Sequence, residues 1–474
     1  MSSNPFTSDW LRADAETVSR PQRGLSFVAG STDAPLRFTT IPGQLDETVA
    51  AHGARDAAVF AASGTRWSWY DLQARADEVA AGLLALGLNR GDRVGLWAPT
   101  CEEWLGVQFG AARIGAVLVN FDPAWDQAQL EHALATAQCR ALILARTIGA
   151  RDALGLLREL APEIERPLRD GKLRCERLPR LRYVVLIGEG VAPAGTMTFK
   201  ALRKLAGPAQ RARVQAQCAA LDPDDPIDLQ FTSGPPAQSR AATLTHYGLT
   251  NNARFAADAM GLTERDRMCI AGPLYHWFGF GPGVLACMAS GAAMVFPASS
   301  FDPEKTLDAI GARGCTALHA PPGLYRALLD HPVLREADVS SLRTGVLAGG
   351  PCPPEIVRRI AAELHLPELT VGYGKSETSP LTFQSRAADP LAQRAGGVGR
   401  VHPHVQAKVV DRDGRIVPVG QRGELCVRGY PVMRGYWDDA GGTRKVVDEA
   451  GWLHTGDLAT LDPDGYCAIA GPVG

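Results

Sequence analysis

The sequence predicts an α/β protein: two doubly wound sub-domains on parallel sheets, followed by a small distorted β-barrel sub-domain. Three observations carry that expectation. The chain has 474 residues, too many for one small domain and enough for two or three units sharing a large core. Short runs of Val, Ile and Leu alternate with helical patterns from about Val94 to Gly374, the signature of βαβ units and a parallel sheet. After about Leu381 the character changes to short strands separated by turns.

The elements follow in order. VGLWAP (94–99) precedes a helical CEEWLGVQFGAARIG, then AVLVNF (116–121), DQAQLEHALATAQ and ALILA (141–145). Residues 146–225 are rich in Arg, Pro and Ala, and only YVVLIG (183–188) reads as a strand, which puts a seam there. The first unit is therefore expected over 1–225, including an N-terminal extension. A second unit is expected over 226–384. Its strands are 227–233, 268–273, 293–297, 316–321, 344–349 and 369–374, and helical patterns such as PPEIVRRIAAELH (353–365) lie between them. The β-rich unit is expected over 385–474, with Asp-Gly turns at 413–414 and 464–465 closing hairpins.

Composition narrows the function. Hydrophobic residues make up 46% and charged residues 21%, which excludes disorder. Lys+Arg total 49 against 51 Asp+Glu, so a net charge of −2 gives no electrostatic reason for nucleic acid or an anionic membrane as partner. Ten cysteines occur singly, with no C-x-x-C pair, which reads as reduced thiols and not as a disulfide framework or zinc ribbon. The N-terminus lacks the basic end and apolar core of a secretory signal. The run Trp277–Phe301 is long and uncharged, but its glycines and two prolines divide it into a buried helix and a buried strand. A cytoplasmic protein without a membrane span is expected.

Four segments can carry chemistry. In FTSGPPAQSRAATLTH (231–246) a strand runs into Thr232, Ser233 and Gly234, whose hydroxyls and backbone N–H groups can hold phosphate, or simply make a polar turn. In GYGKSETSP (372–380) the G-K-S would need a glycine at 369 to be a Walker loop, and Leu369 stands there. What remains is a strand end bearing Tyr373, Gly374, Ser376 and Glu377, where a carboxylate beside hydroxyls suits Mg²⁺ or caps a helix. In WLHTGDLA (452–459) Asp457 can accept from a ribose diol or close an Asx turn. In PLYHWFG (273–279) His276, Trp277 and Gly279 follow a strand, as a ligand-facing or a core group.

The order and strand-end placement of these segments resemble the adenylate-forming acyl-CoA synthetases, most closely the medium-chain branch. Residues 231–246 are similar, without a gap, to the family's [YF]-T-S-G-T-T-G-x-P-K-G-x-x-x-[ST]-H loop, and 372–380 to its Y-G-x-T-E segment. RGELCVRGYPVMRGYW (422–437) and GVGRVHPH (397–404) resemble the same branch. The resemblance implies a ligase that uses ATP and Mg²⁺ to form an acyl-adenylate, with CoA as acceptor and a medium- or long-chain carboxylic acid as substrate. It implies catalytic roles for His276, Ser376 and Glu377, with Glu377 holding the metal. Nucleotide contacts fall to Thr232, Ser233, Gly234, Arg240, Gly349, Gly350, Pro351, Tyr373, Gly374, Ser376 and Asp457. His276, Trp277, Gly279 and Gly349 would face the acid.

The sequence departs from the family in two places. Pro235, Pro236 and Ala237 stand where the family has Thr-Thr-Gly, and Ser239, Arg240 and Ala241 where it has Pro-Lys-Gly. Two prolines delete two backbone donors, and at about 1.5–3 kcal/mol for each charge-assisted bond the loop is expected to hold triphosphate less well. After GYCAIAG come only Pro472, Val473 and Gly474, so the family's hinge and small C-terminal domain are expected to be absent. A separate C-terminal-domain chain or an acyl carrier is the macromolecular partner this leaves room for. The alternative function is a degenerate member that binds acid, AMP or acyl-adenylate without turnover.

Overall fold

The computed structural model describes residues 19–232 and 239–473. Three sheets organise them. The first has eight strands in the order Met197–Thr198, Tyr183–Ile187, Ala141–Ala145, Arg93–Trp97, Val117–Asn120, Pro226–Phe231, Ala241–Thr245 and Gly435–Tyr436. Its pairs are parallel as far as Pro226–Phe231, and the last two are antiparallel. The second has nine strands: Arg400–Val401, Leu381–Gln384, Glu368–Gly374, Thr344–Leu347, Ala317–Ala320, Arg267–Ile270, Ala293–Phe296, Asp56–Phe60 and Thr65–Ser68. Its six central strands are parallel and its edges antiparallel. The third is an antiparallel sheet of Phe27–Ala29, Val405–Val410, Gly423–Gly429, Leu453–Leu461 and Cys467–Pro472.

Local chemistry explains the helices that cover these sheets. Trp69–Ala85 begins at a reciprocal cap, in which Ser68 Oγ accepts from the Asp71 amide while Asp71 accepts from the Ser68 amide. It packs on Glu102–Arg113 at Gly110, where a Cβ would come within 2.8 Å of Val79 Cβ. Only a glycine lets the two backbones approach that closely. Trp69 and Trp104 are fully buried in the core shared by these elements. Arg113 in the same core is neutralised by Asp46 at 2.7 Å and by Asp77, as a buried cation must be.

Three differences from the sequence reading have physical causes. Sheet membership does not follow the linear boundaries at 225 and 384. Pro226–Phe231 hydrogen-bonds to Val117–Asn120 in the first sheet, and Asp56–Phe60 joins Ala293–Phe296 in the second. Alternation of strands and helices reports element order, not partner choice. The β-rich part is an open five-stranded sheet, not a closed barrel, because Phe27–Ala29 and Cys467–Pro472 remain its edges. Finally, Asp464-Gly465 does turn one hairpin, with Gly465 at φ 83°, but Asp413-Gly414 only folds the connection back on itself through the Val410–Ile416 bridge.

The uncharged run resolves as expected into a helix and a strand, with one addition. Gly279–Leu285 winds as wide π-type turns through Pro282 before Ala286–Ser290 and the strand Ala293–Phe296. Such turns recur at functional sites. Among the described residues no helix is long and apolar enough to cross a membrane. All ten cysteines are unpaired.

Candidate active site

The carboxyl ends of the parallel strands open onto one cavity of about 990 Å³, where open α/β sheets place ligands. Thr232 leaves the first sheet; in the second, Gly349–Pro351 follow Thr344–Leu347, and Tyr373–Glu377 span the end of Glu368–Gly374 and the turn after it. Asp457 enters from the third sheet, and His276 and Trp277 from the segment preceding the π-type turns. Stretches more than two hundred residues apart in sequence thus meet on one surface.

Each wall is held by its own hydrogen bonds. At the neck of the loop, the Thr232 amide donates to Arg240 O at 2.8 Å and the Arg240 amide donates to Thr232 Oγ1 at 3.0 Å. Ser239 Oγ donates to Thr232 O at 2.8 Å. Ser233 and Gly234, expected at the phosphates, lie outside the described residues, as do Pro235, Pro236 and Ala237.

Across the cavity the Tyr373 hydroxyl donates to Asp457 Oδ2 at 2.6 Å. Burial, followed by the neighbouring Asp457 charge, holds the Tyr373 phenol far above its usual value, so it stays a neutral donor. Lys375 Nζ donates to the same oxygen at 3.1 Å and to Thr455 O at 2.6 Å. Glu377, in the short turn Ser376–Thr378, is buried; its Oε1 accepts from the Tyr436 hydroxyl at 2.8 Å and its carbonyl accepts from the Met433 amide.

His276 is pushed down to about 4 by burial, so the imidazole is neutral at physiological pH. Its Nδ1 accepts from the Phe278 amide at 3.3 Å, which leaves the ring proton on Nε2. Beneath it His319, also lowered to about 4 by burial, faces Phe278 O at 2.8 Å through Nε2.

Two of the described residues expected in the site do not line the cavity. The guanidinium of Arg240 is drawn aside to Asp439 at 3.2 Å and lies 5.3 Å from the centre of the Tyr436 ring. Gly279 is buried in the π-type turns, where a Cβ would come within 2.1 Å of Pro273 O. Its small size serves the turn. Conversely, Lys375, Tyr436 and Cys352 reach the site or its groups without having been singled out. Lys375 occupies the variable position of G-Y-G-K-S-E, and Tyr436 is the tyrosine of the RGYW segment. Glu377, Ser376 and Thr232, which all line the cavity, offer the oxygen donors that suit a hard divalent cation.

Two smaller cavities follow in series. One of about 320 Å³ shares Thr232 and His276 with it. The other, about 370 Å³, is mostly apolar and shares Asp122, Ala124 and Tyr275 with the second.

Comparison with known proteins identifies the family. Residues 45–437 match the family described as AMP-binding enzyme. The chain is 39% identical over 470 residues to the acyl-CoA ligase sidI of Aspergillus fumigatus, covering 97% of this chain and 78% of that protein. It is 37% identical over 458 residues to the mitochondrial medium-chain acyl-CoA ligase ACSF2 of Danio rerio, covering 96% and 75%. In fold it is similar to the anthranilate CoA ligase AuaEII, solved in complex with anthranoyl-AMP, at a TM-score of 0.78 and 24% identity over 93% of this chain and 79% of that one. On the extent of the family match and the identity to sidI, the chain belongs to the AMP-binding enzyme family.

Proposed function

We propose that this chain is an AMP-forming carboxylic acid–CoA ligase acting on a medium- or long-chain acid. The observation that carries the reading is the convergence of Thr232, His276, Gly349–Pro351, Tyr373–Glu377 and Asp457 on a single cavity. In the first half-reaction a carboxylate oxygen of the acid attacks the α-phosphorus of ATP and pyrophosphate leaves. In the second a thiolate attacks the acyl carbonyl and AMP leaves.

The side chains fit these steps. Tyr373 and Gly349–Pro351 form the wall for adenine, and Asp457 is the acceptor for the ribose hydroxyls. Thr232 offers its hydroxyl toward the phosphates. Mg²⁺, when bound, offsets phosphate charge, and Glu377 with the neighbouring hydroxyls would hold it. Tyr436 fixes the orientation of the Glu377 carboxylate through Oε1. An imidazolium beside the acid would pair with its carboxylate and blunt its attack. Burial keeps His276 neutral, so its Nε2–H can orient the carboxylate as a hydrogen-bond donor without quenching it. Trp277 then flanks the start of the acyl chain.

The test is acid-dependent exchange of pyrophosphate into ATP, run with straight-chain acids of medium and long length. Exchange is expected, and Glu377→Gln is expected to slow it by about 10²–10³ while the urea midpoint stays in place. Absence of acid-dependent exchange with every acid tried would overturn the reading.

A further inference from the structure

On the third sheet, on the face turned away from Thr455 and Asp457, three side chains of different ligand type point at one spot. Cys426 pairs directly with His454 across the strands Gly423–Gly429 and Leu453–Leu461. Between Glu424 and Cys426 the register shifts, because Glu424 faces Leu458 and two extra residues bulge from the partner strand. Glu424 and Cys426, two residues apart on one strand, share a face by alternation, and the bulge in the partner strand lets Glu424 Oε1 accept from the Gly456 amide at 3.2 Å.

The contacts among the three converge on a single nitrogen. Glu424 Oε2 lies 3.0 Å and Cys426 Sγ 3.5 Å from the same nitrogen, His454 Nδ1. That nitrogen carries at most one proton. If it donates to Glu424, the sulfur faces it as a second, weak acceptor. If the thiol donates to it, the carboxylate faces a lone pair. A cation between the three satisfies all of them. Tetrahedral zinc with ordinary bond lengths to S, N and O needs ligand atoms about 3.4–3.6 Å apart; the sulfur–nitrogen separation of 3.5 Å meets this, and the oxygen–nitrogen separation of 3.0 Å has only to open by a rotation of the half-exposed Glu424.

The surroundings agree. Asp448 Oδ2 sits 3.9 Å from His454 Nε2, on the side where a ligating histidine is commonly oriented by a carboxylate. Its other oxygen accepts from the Ala450 and Trp452 amides and is fixed. The cations Lys408 and Arg428 lie over the Trp452 ring at 4.4 and 4.7 Å. Cys426 is buried while Glu424 and His454 are half-exposed, so an ion has an entry path.

We propose that Cys426, His454 Nδ1 and Glu424 form a zinc site with its fourth position open to water. Binding releases the Cys426 thiol proton and the Nδ1 proton, where present, to solvent. The site is independent of the ligase reading. It clamps the two strands whose bulge also carries Asp457.

The chelator-stripped chain, titrated with Co²⁺ alone, is expected to show a thiolate-to-cobalt charge-transfer band that saturates at one equivalent and is displaced by Zn²⁺. Cys218→Ser, remote from the site, should keep the band, and Cys426→Ser should abolish it. His454→Gln and Glu424→Gln, on the half-exposed positions, provide variants that do not disturb the core. Each should weaken Co²⁺ binding by more than about ten-fold, the loss typical of removing even an outer-sphere partner. No band in the unaltered chain, a band that survives Cys426→Ser, or unchanged affinity in both glutamine variants would overturn the site.

Discussion

Asp228 lies within the strand Pro226–Phe231, fully enclosed, with Asn120 Nδ2 donating to it at 3.1 Å and Gln230 Nε2 at 2.7 Å. Burial pushes its carboxyl up to about 7 against those two donors. Because the folded value is raised above the ordinary 3.8, this group's contribution to stability is complete below about 3.8 and is lost as pH rises through about 7. Asp228→Asn, with Asn120 or Gln230 turning its amide to accept, should therefore gain stability at pH 8 relative to pH 5. The expected differential is up to about 3 kcal/mol, at about 1.4 kcal/mol per pH unit, read from urea midpoints. Four histidines run the other way: burial lowers His246 and His402 to about 3 and His276 and His319 to about 4. Their stabilisation is present above about 6.5 and is lost as pH falls through those values. The same residue scale decides nucleotide preference. With Pro235 and Pro236 unable to donate amides, AMP is expected to bind at least as tightly as ATP by calorimetry. Combining Pro235→Thr, Pro236→Thr, Ala237→Gly and Arg240→Lys should restore a preference for ATP of at least about ten-fold, roughly 1.4 kcal/mol. ATP bound ten-fold tighter than AMP by the unaltered chain would show that the loop does not need those donors.

At the scale of elements, strand ends were the legible part of the site. Thr232, Gly349–Pro351 and Tyr373–Glu377 all follow apolar runs, and the carboxyl edge of a parallel sheet is where ligands collect. The partners of those residues were not legible. Nothing in the linear spacing says that Tyr436 bonds Glu377 or that Lys375 bonds Asp457, since both contacts cross between sheets. Arg240 was assigned to the site from its place in the loop, but Asp439 on a distant stretch holds its guanidinium. Gly279 shows the same limit, because its motif suggested a ligand contact whereas Pro273 O is the atom that demands a glycine. Gly279→Ala is accordingly expected to cost about 1–3 kcal/mol in urea unfolding, as overpacking does. Acid-dependent exchange should fall with it, because the turn positions His276 and Trp277. An unchanged urea midpoint would mean that the π-type turns are more yielding than the contact distance implies.

For the molecule as a whole, strand–helix alternation made the fold class readable, while the interleaving of the sheets was not. The choice of Val117–Asn120 as neighbour of Pro226–Phe231, and of Ala293–Phe296 as neighbour of Asp56–Phe60, depends on packing of the completed core. The first ninety residues gave no strand–helix rhythm, although Ser68 and Asp71 carry the spacing of a capping box. Interleaving has a testable result. A fragment ending at 225 leaves Val117–Asn120 an unpaired apolar edge and strands Asp56–Phe60 and Thr65–Ser68 without a sheet, so it should be insoluble alone. Co-expression with the remainder should recover soluble material, and a soluble, cooperatively unfolding fragment would contradict it.

The double hold on Asp457 has an energetic side. Its Oδ2 is already shared by a phenol from one strand end and an ammonium from the next turn, so the third sheet is latched to the second across the mouth of the cavity. A guest that needs this oxygen enters as a competitor, and the affinity it achieves is its own hydrogen bonding less that of the latch. Removing one hand of the latch, as in Tyr373→Phe, therefore acts on the empty protein first, by letting the two sheets part more readily. The empty state is as much a part of the affinity as the filled one.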